Sequence, residues 1–315
     1  MSKILITDAI GESGIEFLKK QGYDIEYYPE VTYDELLNAV GDADALIVRG
    51  RTKVTREIIN KASKLKVIGK AGAGVDNIDV TEARRHGIVV VNAPGATSEA
   101  VAEHTMALLL SLVRHIPEVS HALSEGKWEK SSYTAIELHG KTIGVIGFGH
   151  IGNRVAQLGV AFGMHVLVAT RTVHGSMQKE LEVLGGKYVS LKELLKNADV
   201  VTVHIPATKD TEKLIGKNEF AHMKPTAYFI NTARAAVVDE SALIDALKDN
   251  RLAGAALDVF STEPLSIDSG LLDAPNIILT PHVASVSPEG RERASLTVCE
   301  DVACALEGKP AINQL

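Results

Sequence analysis

Three short segments late in this 315-residue chain carry side chains suited to anion binding and acid–base chemistry. Asn231-Thr232-Ala233-Arg234-Ala235-Ala236 follows an aliphatic run and sets a guanidinium just beyond it. Bidentate capture of a carboxylate is the natural use of an Arg there. Leu257-Asp258-Val259-Phe260, followed by Glu263-Pro264, brings two carboxylates, and Leu279-Thr280-Pro281-His282-Val283-Ala284-Ser285 brings an imidazole. Taken singly, each has a plainer reading. A lone His is more often a surface or hydrogen-bonded structural residue, a Glu before Pro a loop residue, and an Arg after a strand a solvated charge.

A fourth segment reads more sharply. Gly147-Phe148-Gly149-His150-Ile151-Gly152 stands between a strand-like run, 142–146, and the helical register that continues through Arg154-Val155-Ala156. Strand before and helix after is the context a Gly-x-Gly-x-x-Gly dinucleotide turn requires. Gly147 permits the tight turn, Gly149 lets the backbone approach a pyrophosphate, and Gly152 lets helix and strand pack closely. His150 and Ile151 complete the turn, and the pyrophosphate would rest on the N–H groups of the helix start. The next strand runs out at Thr170-Arg171, with no Asp or Glu to bind the adenosine ribose hydroxyls. A neutral Thr followed by a guanidinium suits a 2′-phosphate, so NADP(H) is expected to be tolerated or preferred over NAD(H). The plain alternative is an exposed Arg after a strand.

Elements able to position these residues are visible as short aliphatic runs. Residues 4–7, 45–48, 66–69 and 88–91 read as buried strands, with helical spacing over 14–21 and 33–40. A stronger series follows at 142–146, 166–169, 200–204, 228–231, 255–259 and 277–280, and a closing helix at 291–306. Near-continuous apolar runs of this length suit strands covered on both faces, and their alternation with helices predicts an α/β fold with parallel sheets. Residues 98–112 form a long helix, apolar on most sides and capped by Ser98, which is expected at a domain junction or as an ordinary core helix. A further helix is expected over 117–124.

Composition narrows the function classes. With 45% hydrophobic and 23% charged residues, the chain can bury a large core. Aromatics are 4%, so that core must be aliphatic. A formal net charge of −7 argues against a nucleic-acid partner, and the lack of an apolar run long enough to span a bilayer argues against a membrane one. The start, MSKILITDAIG, lacks the pattern of a signal peptide, so a cytoplasmic location is expected. Cys299 and Cys304 show no metal-ligand spacing; they read as reduced thiols, and no metal is expected.

The motifs together, in their order, resemble those of the D-isomer-specific 2-hydroxyacid dehydrogenases, most closely the phosphoglycerate dehydrogenase branch without a regulatory domain. The likeness covers essentially the whole chain. It includes Ala71-Gly72-Ala73-Gly74-Val75-Asp76-Asn77-Ile78-Asp79, Val91-Asn92-Ala93-Pro94-Gly95, Ala102-Glu103-His104, the glycine turn and the three late segments. It implies hydride transfer between NAD(P)(H) and a small 2-hydroxy or 2-oxo acid. Arg234 would bind the substrate carboxylate and polarise the oxo group. His282 would be the general acid, and Glu263 would orient it and favour its protonated form. Asp258 would meet the nicotinamide amide, Thr232 would contact the cofactor, and Pro206 would border the adenine side. Ala73, Gly74 and Val75 would offer backbone N–H groups to the substrate, with Arg49 and Lys70 (and Arg51) as candidate cations for a substrate phosphate.

The same likeness implies two doubly wound (Rossmann/flavodoxin-like) parallel-sheet domains with an interdomain cleft. A substrate-binding domain would comprise 1–98 plus 285–315, and an inserted dinucleotide-binding domain 99–284. A homodimer is implied as well. Amino-acid feedback is not expected, since the sequence stops where some relatives continue into a regulatory domain. Three departures stand out: Ala235 where the family usually has Gly, Thr170 where phosphoglycerate members typically carry an acid, and Lys70 where they tend to have Arg. The acid-free strand end pulls toward an NADPH-using glyoxylate or hydroxypyruvate reductase. A non-catalytic NAD(H)-sensing protein on the same fold is the further alternative, against which the presence of Arg234, Glu263 and His282 counts.

Overall fold

The computed structural model describes residues 1–173 and 175–315. They divide into two compact units, Met1–Ser98 with Val286–Leu315, and Glu99–Ser285. In chain order the first contains β1 (Lys3–Ile6), α1 (Glu12–Lys20), β2 (Asp24–Tyr27), α2 (Tyr33–Ala39), β3 (Ala45–Val48), α3 (Arg56–Lys61), β4 (Val67–Lys70), α4 (Val80–Arg85) and β5 (Val89–Asn92). Then follow α5 (Ser98–Val113), α6 (Ile116–Ser124), β6 (Thr142–Ile146), α7 (His150–Ala161), β7 (His165–Ala169), α8 (Gly175–Val183), β8 (Lys187–Tyr188), α9 (Leu191–Asn197), β9 (Val200–Val203), α10 (Lys217–His222), β10 (Tyr228–Asn231), α11 (Glu240–Lys248), β11 (Gly254–Leu257) and β12 (Ile277–Leu279). The chain closes with α12 (Pro288–Leu306), which returns to the first unit.

Both sheets are parallel throughout, ordered β2-β1-β3-β4-β5 and β12-β11-β10-β9-β6-β7-β8. The sequence expectation of two doubly wound α/β domains is met. Each order reverses once, beside β1 and beside β6, and in open α/β sheets ligands bind outside the carboxyl ends of strands at such reversals.

Alternation along each strand explains the layers. In the first unit Leu5, Leu46, Val48, Ile68 and Val90 face a cluster with Leu36, Ile58, Ile59 and Ala83. Their neighbours Ile4, Ile6, Ala45, Ile47, Val67 and Val91 face the other way, onto Leu18 of α1 and Val298, Cys299 and Val302 of α12. The second sheet does the same. Val201, Val203, Phe229 and Leu257 pack on Leu194, Phe220 and Leu243, whereas Val145, Val168, Ile230 and Ala256 pack on Val155 and on Met106, Leu109 and Leu112 of α5. The long α5, apolar on most sides, is therefore a core helix of the second unit. Burying each such aliphatic side chain is worth about 1.5–3 kcal/mol.

The sequence reading missed β2 and β8, one edge strand in each sheet. Asp24–Tyr27 is half exposed and Lys187–Tyr188 only two residues long, so neither leaves a buried run to detect. Among the described residues no helix is long and apolar enough to cross a membrane.

Candidate active site

Register aligns the ends of five strands in the second unit. Ile146 pairs with Val203, Val203 with Asn231, Asn231 with Leu257, and Leu257 with Leu279. The residue after each strand therefore emerges on one edge of the sheet: Gly147, His204, Thr232, Asp258 and Thr280. Four separate sequence motifs become neighbours this way.

The glycine turn opens that row. Gly147 has φ +94°, and a Cβ there would lie 2.6 Å from the carbonyl oxygen of His204. A Cβ on Gly152 would collide with the Gly147 carbonyl, so α7 can start this close to β6 only with Gly at 152. A Cβ on Gly149, by contrast, would meet no described atom within 4 Å. Gly149 caps the 12-residue α7 with no side-chain hydrogen bond and no acid in the first turn. An open cradle at an uncapped helix start fits a dinucleotide pyrophosphate. His150 begins α7 exposed and Ile151 is half-buried. Beside the turn, burial pushes the His204 imidazole down to about 3; its Nε2 lies 2.9 Å from Thr202 Oγ1, and Nδ1 finds no partner among the described residues.

Asp258 is fully buried, and its carboxylate is occupied within the protein. Oδ1 accepts from Thr280 Oγ1 (2.6 Å) and the Val283 N–H (2.9 Å), and Oδ2 from the Ala284 N–H (2.8 Å). Because the Thr280 hydroxyl proton goes to Asp258, His104 Nε2, 3.1 Å from Thr280 Oγ1, is the donor of that contact. Burial alone would raise the Asp258 pKa, yet the donors from His104, Thr280, Val283 and Ala284 outweigh it and hold the carboxyl below its ordinary value. Within the fold this carboxylate clamps residues 280–284. That loop needs a clamp, since His282 sits at φ +53°, the left-handed region that costs a non-glycine residue about 1–3 kcal/mol.

The clamped loop presents His282 to Glu263. Nδ1 of the half-exposed ring lies 2.7 Å from Glu263 Oε2, while Oε1 accepts the Phe260 N–H at 3.0 Å. One carboxylate oxygen is thereby fixed to the backbone and the other to the imidazole. Nε2 is left as the ring atom able to exchange a proton with a substrate.

Arg234 follows β10 and precedes a short 3-10 turn, Ala235–Val237. Asn231 braces the segment, accepting from the Ala233 N–H (2.9 Å) and donating to the Arg234 carbonyl (3.0 Å). The guanidinium donates back to the Ala233 carbonyl at 2.8 Å. Ala235 lies in that turn and is not among the residues with positive φ, so the missing glycine costs the loop nothing. Thr232 is buried and donates its hydroxyl to Thr105 Oγ1 (2.9 Å), whose own proton goes to the Val101 carbonyl in α5.

Thr170 and Arg171 follow β7, and Arg171 Nη1 lies 2.9 Å from Asp210 Oδ2. Pro206 is exposed, and its carbonyl accepts from Thr211 Oγ1 at 2.7 Å.

In the first unit, Ala73-Gly74-Val75 follows β4. Gly72, Ala73 and Val75 pin the loop through their carbonyls, which accept from the Ala93 N–H, the Asn92 amide and the Ile78 N–H. Arg49 is half-buried beyond β3, and burial, then repulsion from Arg291, lowers its pKa. Lys70 is buried, with its ammonium donating to the Arg49 carbonyl and, at 2.6 Å, to Asn77 Oδ1, which braces the loop. The sequence does not single out His104, Asn231, Thr280, Asp210 or Arg291 as site residues. His104, Asn231 and Thr280 carried a signal, since each lies within one of the quoted motifs, whereas Asp210 and Arg291 carried none.

Residues 106–284 match the sequence profile described as D-isomer specific 2-hydroxyacid dehydrogenase, NAD binding domain. The chain is 44% identical over 315 residues to the D-3-phosphoglycerate dehydrogenase of Methanocaldococcus jannaschii, covering 99% of this chain and 59% of that protein. It spans about three fifths of the length of such curated relatives. A glyoxylate reductase from Paecilomyes thermophila superposes with a TM-score of 0.89 at 30% identity, covering 100% of this chain and 98% of the other. An acyclic imino acid reductase in complex with NADPH and D-Arg superposes with a TM-score of 0.88 at 32% identity, covering 99% of each chain.

Proposed function

Because the chain belongs to the D-isomer specific 2-hydroxyacid dehydrogenase family, we propose that it is a cytoplasmic oxidoreductase that interconverts a small 2-hydroxy acid and its 2-oxo acid with NAD(P)(H). The observation that carries this reading is the 2.7 Å pairing of His282 with Glu263 on the sheet edge that also holds the glycine turn and Arg234. When bound, the nicotinamide supplies the hydride in reduction and takes it in oxidation. Arg234 holds the substrate carboxylate in bidentate fashion and draws electron density from the adjacent oxo group. His282, protonated on both nitrogens, delivers its Nε2 proton to the carbonyl oxygen as C2 becomes tetrahedral, and takes the hydroxyl proton in the reverse direction. Glu263 keeps the ring oriented through Nδ1.

We favour 3-phosphoglycerate (3-phosphohydroxypyruvate in reverse) as substrate. Arg49 beside Arg291 is a pair of like charges that a substrate phosphate would neutralise. The competing reading, an NADPH-using glyoxylate or hydroxypyruvate reductase, draws on the acid-free Thr170-Arg171 end and the likeness to a glyoxylate reductase. Exposed Ile116, Leu123 and Trp128 on and after α6 support association into a homodimer, which sedimentation at several concentrations tests.

The deciding assay follows NADH and NADPH absorbance with 3-phosphohydroxypyruvate, hydroxypyruvate and glyoxylate. Fastest turnover of the phosphorylated acid is expected. Tight coenzyme binding without turnover of any acid would overturn the enzymatic reading in favour of a coenzyme sensor.

A further inference from the structure

The order β9-β6-β7 places the glycine turn of β6 between two loops, one leaving β7 and the other leaving β9. Gly147 touches both: its N–H donates to the Ala169 carbonyl at 2.8 Å, and its α-carbon faces His204 and Ile205. Further out the two loops meet again, where Arg171 Nη1 lies 2.9 Å from Asp210 Oδ2. Asp210 is held in place by a compact turn. Thr211 Oγ1 donates to the Pro206 carbonyl at 2.7 Å and accepts the Thr208 N–H at 2.8 Å, and the Glu212 N–H donates to the Thr208 carbonyl at 3.0 Å. An ion pair thus links the walls on either side of the turn that the dinucleotide reading fills.

We propose that Asp210 is a specificity-determining residue for the coenzyme, acting through Arg171; this rests on the dehydrogenase reading above. Arg171 is the guanidinium placed to receive a 2′-phosphate, and Asp210 competes for it. A pair this exposed is weak, worth less than about fivefold in an equilibrium, so a phosphate able to bind the guanidinium with two oxygens can displace it. Displacement costs the ion pair, which penalises NADPH and leaves NADH untouched. With no acid at position 170, the negative charge that restrains NADPH binding comes from a loop 40 positions further along the chain.

Coenzyme fluorescence measures this without turnover. Dissociation constants for NADH and NADPH are compared in the wild-type chain, Asp210→Asn, Arg171→Ala and the double variant. In Asp210→Asn, NADPH should bind about three- to fivefold more tightly, with NADH changed less than about twofold. Arg171→Ala should weaken NADPH alone, and the double variant should show no gain from losing Asp210. High salt should shrink the differences. An NADPH-to-NADH ratio unchanged in Asp210→Asn, or a gain that persists without Arg171, overturns the proposal alone. Failure of the wild-type chain to bind either coenzyme overturns it together with the dehydrogenase reading.

Discussion

At His282 the chemistry depends on which nitrogen is occupied. With Nδ1 committed to Glu263, only Nε2 can serve a substrate. His282→Ala should therefore lower kcat by about 10²–10⁴ while coenzyme affinity stays within about twofold, as stopped-flow rates and fluorescence titration would reveal. Arg234→Ala should raise KM as well as lower kcat, because the guanidinium holds the substrate before and during the reaction. Equal loss of coenzyme binding in both variants would contradict these roles. The family resemblance in the sequence points to Arg234, Glu263 and His282. That Asp258 spends its carboxylate on Thr280, Val283 and Ala284 could not be read there, since nothing local in Leu257-Asp258-Val259 points to a loop more than twenty positions away.

The β6–turn–α7 unit makes different demands on its glycines. Gly149→Ala meets no described atom, so the melting temperature should stay within about 2 °C; the methyl instead occupies the approach to the helix start, and coenzyme affinity should drop at least about tenfold. Gly152→Ala drives a methyl into the Gly147 carbonyl and should lower the melting temperature too. The loop after β12 gives a second test. Asp258→Asn leaves an amide facing backbone N–H donors in a buried position, at a cost of about 1–3 kcal/mol, and frees the left-handed His282. Denaturant unfolding should register the loss, and kcat should fall more than coenzyme affinity. A variant with full stability and full kcat would refute the clamp.

Acid stability of the folded chain follows from groups whose protonation changes on folding. Asp199 and Asp258 are held below the ordinary carboxyl value, so their contribution is present above the unfolded pKa and fades as pH falls toward the folded one. His204 acts in the same direction. Unfolded, it takes a proton below about 6.5; folded, burial keeps it neutral down to about 3, so the unfolded state binds more protons between those values. Stability should fall from pH 7.5 to pH 5 by about 1–2 kcal/mol through this histidine. His204→Gln should flatten that part of the profile in denaturant titrations, and an unchanged slope would show that the ring is not buried neutral.

The buried strands, the parallel α/β class and the glycine turn were readable in the chain because they arise from local patterns: aliphatic runs covered on both faces, and three glycines whose spacing matches one turn. The edge strands β2 and β8 were not, because a strand with one neighbour and a wet face leaves no such run. Partnerships across the sheet were equally invisible. Asp258 with Thr280, Thr105 with Thr232, Lys70 turned onto Asn77, and Arg171 with Asp210 all join residues whose proximity depends on strand order and register. A hydrogen bond needs its two atoms within about 3 Å. Only folding, which sets β9 beside β6 and β6 beside β7, brings distant parts of one chain that close.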